Sequence, residues 1–255
     1  MLLAAAWLAL GTAHAAPKVK IVGYINETSG CQTATIKHLK EFAARHPGDV
    51  SLEIVDFGRA AGRDRWHGDG YNCETIVING ANQFKAGSGT AARIVILKMP
   101  EGVRWTFPDL DAVLAQELRA PGSSPLSDAE ARKLAQKMPV TWRKGRWNGR
   151  PVGEVVVGTQ TVFRFVSSFG GKTAAQRAEA AAKQLKQLYA AGLSGDDIGV
   201  TAGETKEGLI GGIFARGKPV AVVTNAEAEI IRQKPMQAAR FWAFNLGEAL
   251  RILGR

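Results

Sequence analysis

The residues of this 255-residue chain best suited to covalent chemistry are its two cysteines, Cys31 and Cys73. Cys31 follows a run of turn formers at residues 26–30. It opens a segment in which Ile36, Leu39, Phe42 and Ala43 recur at helical spacing until Pro47 and Gly48 stop it, with Thr28 or Ser29 as the cap. A thiol in the first turn of a helix meets unpaired backbone N–H groups and the positive end of the dipole, both of which favour the thiolate. Other catalytic patterns are missing from the sequence. There is no His-Glu-x-x-His and no Gly-x-Ser-x-Gly, and the four histidines all precede residue 68, which argues against a Ser-His-Asp hydrolase. Gly170-Gly-Lys-Thr173 lacks the first glycine of a phosphate-binding loop. Nothing calls for a cofactor, and no Cys or His pair has metal-ligand spacing.

A second group points to a partner. Residues 141–150 carry Arg143, Lys144, Arg146 and Arg150 together with Trp142 and Trp147. Basic side chains interleaved with aromatics can bind a polyanion or an anionic surface. The competing reading is a hairpin turning at Lys144-Gly145, with both indoles tucked inward and arginine stems covering them. Arg59, Arg63 and Arg65 invite the same choice between an anion-binding rim and a solvated loop pinned by Trp66. Charge is uneven along the chain: residues 18–120 hold 13 basic and 12 acidic side chains, residues 121–255 hold 20 and 11.

The elements that must position these groups follow from periodicity. In the first half the order is a strand at residues 18–25, the helix after Cys31, a strand at 51–57, a polar connection at 58–72, strands at 75–80 and 93–98, and a helix at 107–118. Residues 119–127 are rich in Pro, Gly and Ser and read as a boundary. A short helix from Ser127, ended by Met138-Pro139, and the basic hairpin complete residues 119–150. Residues 151–255 read as an α+β domain with a mainly antiparallel sheet: strands at 155–157, 161–166, 198–201, 208–215 and 219–224, and helices at 174–191 and 236–253. The acids at 196–197 and 204–207 read as loop residues. Ahead of all this, residues 2–10 are apolar and Ala13-His14-Ala15 supplies a small-x-small cleavage pattern, so residues 1–15 read as a signal peptide although they carry no Lys or Arg. The expected location is periplasmic or secreted, with no membrane-spanning segment in the mature chain.

The element order of residues 18–118, with a cysteine at the start of the first helix, resembles the thioredoxin fold. Thr75-Ile-Val-Ile-Asn-Gly80 is similar to the strand after that family's cis-proline loop. Cys31 then takes the first position of the Cys-x-x-Cys motif, Ala34 stands where the second cysteine would be, Glu74 replaces the cis-proline, and Cys73 precedes it. The resemblance implies that Cys73 faces Cys31. The pair then reads as a structural disulfide, as an exchange site in which Cys31 attacks and Cys73 resolves, or as a metal site completed by His67 or His38. Residues 151–255 are similar to a soluble domain in periplasmic regions of bacterial mechanosensitive-channel-type proteins. The likeness rests on the paired strands at 155–166, Gly170-Gly-Lys-Thr-Ala-Ala-Gln-Arg177 entering a helix, and Val220-Ala-Val-Val-Thr224 followed by Asn225-Ala226-Glu227-Ala228. That resemblance implies no catalysis. The expectation is an exported two-domain protein whose degenerate thioredoxin-like domain is a binding or scaffold module for an extracytoplasmic protein partner. Thiol-disulfide oxidoreductase is the alternative.

Overall fold

Alternation along the first strand sorts the side chains of the first half into two layers. In the computed structural model, which describes residues 16–87, 93–137 and 139–254, β1 (Val19–Ile25) runs parallel to β2 (Val50–Asp56) and antiparallel to β3 (Thr75–Ile78). Ile21 and Ile25 face α1 (Thr33–Arg45) and α3 (Phe107–Arg119), where they join Leu39, Phe42, Leu110, Val113 and Leu114. Val22 and Tyr24 point the other way, to Val55, Val77 and Trp66 of α2 (Ala60–Gly68). A period of two thus gives one sheet with helices on both faces. Beyond β3, Ile76 N–H donates to Leu97 O and Met99 N–H to Glu74 O. These bonds attach the segment following β5 (Arg93–Ile96), itself paired with β4 (Gln83–Ala86).

Three features of this half differ from expectation. Most of the run at residues 58–67 is not a loop: Ala60–Gly68 form a helix. It buries none of its residues fully, so it has no apolar stripe to announce it; Trp66 anchors it, stacked on Phe57 with ring centroids 4.5 Å apart, together with the Arg65–Glu53 ion pair. β4, four residues long, is a strand not expected from the sequence pattern. Helix α1 is not capped by Thr28 or Ser29: the cap position is Gln32, and its side chain turns back to accept the Asn26 N–H at 2.6 Å. Asn26 in turn closes its own turn on Thr28.

The boundary segment is tied down. Lys85 N–H donates to Ser124 O and Leu126 N–H to Gln83 O, while the buried Glu117 carboxylate accepts from Gly122 and Ser124. Ser127 and Glu130 then cap α4 (Asp128–Lys137) reciprocally. Met138, half of the expected helix stop, lies outside the described residues, as does the expected signal peptide.

In the second half β6 (Val140–Trp147), β7 (Arg150–Val157) and β8 (Gln160–Phe165) form one antiparallel sheet, and β9 (Ile198–Thr205), β10 (Gly208–Ala215) and β11 (Lys218–Val223) another. The two sheets share a core with α5 (Ala174–Ala190) and α7 (Pro235–Ile252). A short α6 (Asn225–Ile230), unread in the sequence, starts at Thr224 with Glu227 as its reciprocal cap. Of the supposed loop acids, Glu204 lies within β9, and Asp197 pairs with Arg216 at 3.1 Å. The basic hairpin does not turn at Lys144-Gly145. Strand β6 runs straight through that dipeptide, and the chain reverses at Asn148-Gly149, where φ is 45° and 75°, the pair of positive values a two-residue reversal needs.

Both helices approach their sheets at glycines. A Cβ at Gly153 would stand 2.2 Å from Ala174 O and 2.9 Å from Ala175 Cα, both backbone atoms of the α5 start. Gly153→Ala must therefore lift α5 from β7. We expect a loss of about 2–3 kcal/mol in urea unfolding, against no more than about 0.5 kcal/mol for alanine at an exposed position such as Lys218.

The two halves interlock. Met99 and Val103, from the segment between β5 and α3, are buried in the core of the second half, and Cys73 packs against it. Arg164 donates to Gly102 O, Trp147 Nε1 to Glu101 at 3.1 Å, and Arg104 Nε to Asn245 Oδ1 at 2.9 Å.

Candidate functional site around Cys31 and Cys73

Cys31 lies in the turn before α1, one residue ahead of the cap, rather than in the helix's first turn. Its sulfur contacts Ser29 Oγ at 3.1 Å. Cys73 lies on the two residues that lead into β3. Its carbonyl accepts Trp66 Nε1 at 3.0 Å and Thr75 Oγ1 at 3.1 Å, so the unexpected helix α2 positions the second cysteine. Both side chains are half-buried free thiols. Burial, the adjacent Glu74 carboxylate and the charge of Cys31 together push the Cys73 thiol up to about 11. A thiol held that far above neutrality is a poor nucleophile and a poor leaving group.

Glu74 is the residue of this site that the sequence did not single out for chemistry. It is 1% exposed, and neither carboxylate oxygen has a hydrogen-bond partner. Thr35 on α1 is near it, but its buried hydroxyl is not in hydrogen-bonding geometry. Burial raises the Glu74 pKa to about 8, so the acid is mainly neutral at pH 7. Its backbone carbonyl is taken by Met99 N–H at 2.9 Å. Around the site, Tyr24 donates to Asp69, and burial followed by that bond pushes the phenol up to about 12.

The other residues singled out in the sequence are engaged elsewhere. His38 bonds Asp111 at 2.7 Å and stacks on Phe107; His67 packs beside Trp66. Among the described residues no three His, Cys, Asp or Glu side chains gather as a metal site. In the basic hairpin, Arg143 is committed to Glu154 at 2.6 Å and to Thr161. Burial opposes ionisation of Glu154, but Arg164 and Arg143 outweigh it and hold the carboxyl at about 2. Lys144, Arg146 and Arg150 are left as the exposed cations of that strand pair. Arg59 and Arg65 pair with Asp56 and Glu53, and Arg63 donates to Gly58 O. Gly170 and Gly171, with φ of 58° and 73°, form a tight turn bridging Phe169 and Lys172, and Thr173 then caps α5 with Gln176. This is a capped helix entry.

Comparison with known proteins bears on the second half. Residues 154–252, from within β7 to the end of α7, match the model of a domain of unknown function (DUF8459). No curated protein matches the chain, and no solved structure matches it. Among the described residues no helix is long and apolar enough to cross a membrane.

Proposed function

We propose that the chain is an exported protein whose thioredoxin-like first half serves as a non-catalytic binding or scaffold module for an extracytoplasmic protein partner, with Cys31 and Cys73 joined as a stabilising bond. The order β2-β1-β3, continued by residues 97–99 and flanked by α1 and α3 on one face and α2 on the other, supports the thioredoxin-like reading. The observation that carries the non-catalytic role is the state of residues 73–74. In an exchange enzyme of this family the corresponding loop offers its backbone to a substrate strand. Here the Cys73 carbonyl is filled by Trp66 and Thr75, the Glu74 carbonyl is filled by Met99, and the thiol itself stays protonated.

The bond forms when the two thiols give up two protons and two electrons to an oxidant of the compartment, such as a small disulfide. It closes a loop of about 42 residues and should add about 4 kcal/mol on the loop-entropy estimate. The alternative, a thiol-disulfide oxidoreductase in which Cys31 attacks and Cys73 resolves, requires the buried thiol to ionise and the loop to release its own bonds. The two roles separate in a turnover assay. Reduction of a protein disulfide by dithiothreitol should run no faster with the chain than without it. An acceleration that Cys31→Ser abolishes would overturn the non-catalytic role.

A further inference from the structure

A cavity of about 300 Å³ lies where β4 and β5 of the first half meet α4, β6 and β7 of the second. Its charge is one-sided. The ionisable residues on its walls are Lys85, Arg93, Lys137 and Arg143, and among the described residues no Asp or Glu lines it. The two arginines have partners that fix them: Arg93 pairs with Asp109, and Arg143 with Glu154 at 2.6 Å. The two lysines are exposed and form no ion pair among the described residues. Two hydroxyls join them. Thr141 and Thr159 line the same space, and neither side chain makes a hydrogen bond among the described residues, although Thr159 is only 8% exposed. Apolar surface comes from Ile94, Val156 and Leu134, the last of them 37% exposed.

Asp109 and Glu154 offset two of the four positive charges, and two remain. A concave site lined by one sign of charge concentrates its field on whatever enters, and here that field draws in an anion. A bare inorganic ion would satisfy the lysines and hydroxyls but leave Leu134 in water. The volume lies at the lower end of the range for small-molecule sites, which combine apolar walls with a few polar groups in this way. We propose that the cavity binds a small organic anion, an oxyanion head joined to a short apolar body. The head meets the ammonium groups of Lys85 and Lys137 and accepts from the free threonine hydroxyls, and the body covers Leu134 beside Ile94 and Val156. Arg93 and Arg143, already paired, add field. Neither cysteine lines this cavity, so the site is separate from the one around Cys31 and Cys73.

Calorimetry on the full chain with phenyl phosphate tests this, with inorganic phosphate as the head alone and phenol as the body alone. Phenyl phosphate should bind at least about tenfold more tightly than either fragment, and more weakly as sodium chloride is raised. Replacing both lysines, Lys85→Gln with Lys137→Gln, should weaken it about tenfold or more, the worth of one charge-assisted hydrogen bond. Leu134→Ser should weaken phenyl phosphate about threefold and leave inorganic phosphate unchanged. All three side chains are exposed, so these variants should unfold in urea at the wild-type midpoint. Lys144→Gln with Arg146→Gln removes the same charge from the hairpin outside the cavity and should leave the affinity unchanged. The proposal is overturned if phenyl phosphate binds no more tightly than either fragment. It is equally overturned if the hairpin changes weaken binding as much as the cavity changes, the mark of a general attraction to a basic chain.

Discussion

Raising the pH from about 4.5 to about 8 should steadily destabilise the folded chain, and Glu74→Gln should remove most of that dependence. The folded state holds the Glu74 proton up to a pKa of about 8, against 4.5 for an ordinary glutamate. Between those values the folded chain binds a proton that the unfolded chain has released, so each step up in pH favours unfolding. The stabilisation is fully present below about pH 4.5 and is lost as the pH passes through about 8. At 1.36 kcal/mol per unit, the total is on the order of 5 kcal/mol. The physical cause is a carboxyl group with no hydrogen bond to either oxygen and 1% exposure, which pays the full cost of desolvation when it ionises. Glu74→Gln keeps the shape and removes the charge. Urea unfolding at pH 5 and pH 8 checks this. A wild-type stability equal at the two pH values, or a slope that Glu74→Gln leaves intact, would contradict it.

The second large effect should come from Glu227. Its carboxylate, fully buried, pairs with Arg177 at 2.9 Å and accepts the N–H groups of Val166, Ser167 and Thr224, as well as the hydroxyls of Ser167 and Thr224. Arg177 also donates to Ser167 O and Val222 O, and its guanidinium lies 4.5 Å from the Phe165 ring centroid. These bonds join the end of β8, α5, β11 and the start of α6 through two side chains. Glu227→Ala strands a buried cation and several donors and should cost about 3–5 kcal/mol; Arg177→Met should cost a similar amount. The double variant should lose less than the sum, because each single change leaves the other partner unpaired. Burial works against ionisation of Glu227, but Arg177 and the Thr224 bonds hold its pKa below the usual value. The contribution is therefore present above about pH 4.5 and is lost on acidification below it, the opposite sense to Glu74. Additive losses in the double variant would show that the two side chains act independently.

What the sequence revealed and what it hid divide along physical lines. The alternation of Ile21, Val22, Tyr24 and Ile25 and the apolar faces of α3, α5 and α7 are local patterns, and the corresponding elements are where periodicity put them. Helix α2 was illegible because nothing in it is fully buried, and its anchor, Trp66, acts through a stack with Phe57 and a bond to Cys73 that only the fold brings together. The turn at Asn148-Gly149 was legible, since Asn-Gly is the strongest short hairpin signal. At the site, Cys31 and Cys73 stood out by residue type, and the expectation that they face each other came only through the family resemblance. Glu74 entered only as a departure from proline. Arg104 finds Asn245 across 141 residues, a distance at which no spacing rule operates.

The reduction potential of the Cys31–Cys73 pair in the full chain, equilibrated in glutathione or dithiothreitol buffers, is the most direct test of the claim that these thiols form a bond that stabilises rather than exchanges. A value below about −300 mV is the expected result. A value between about −120 and −270 mV, or thiols that stay free in an oxidising buffer, would contradict it.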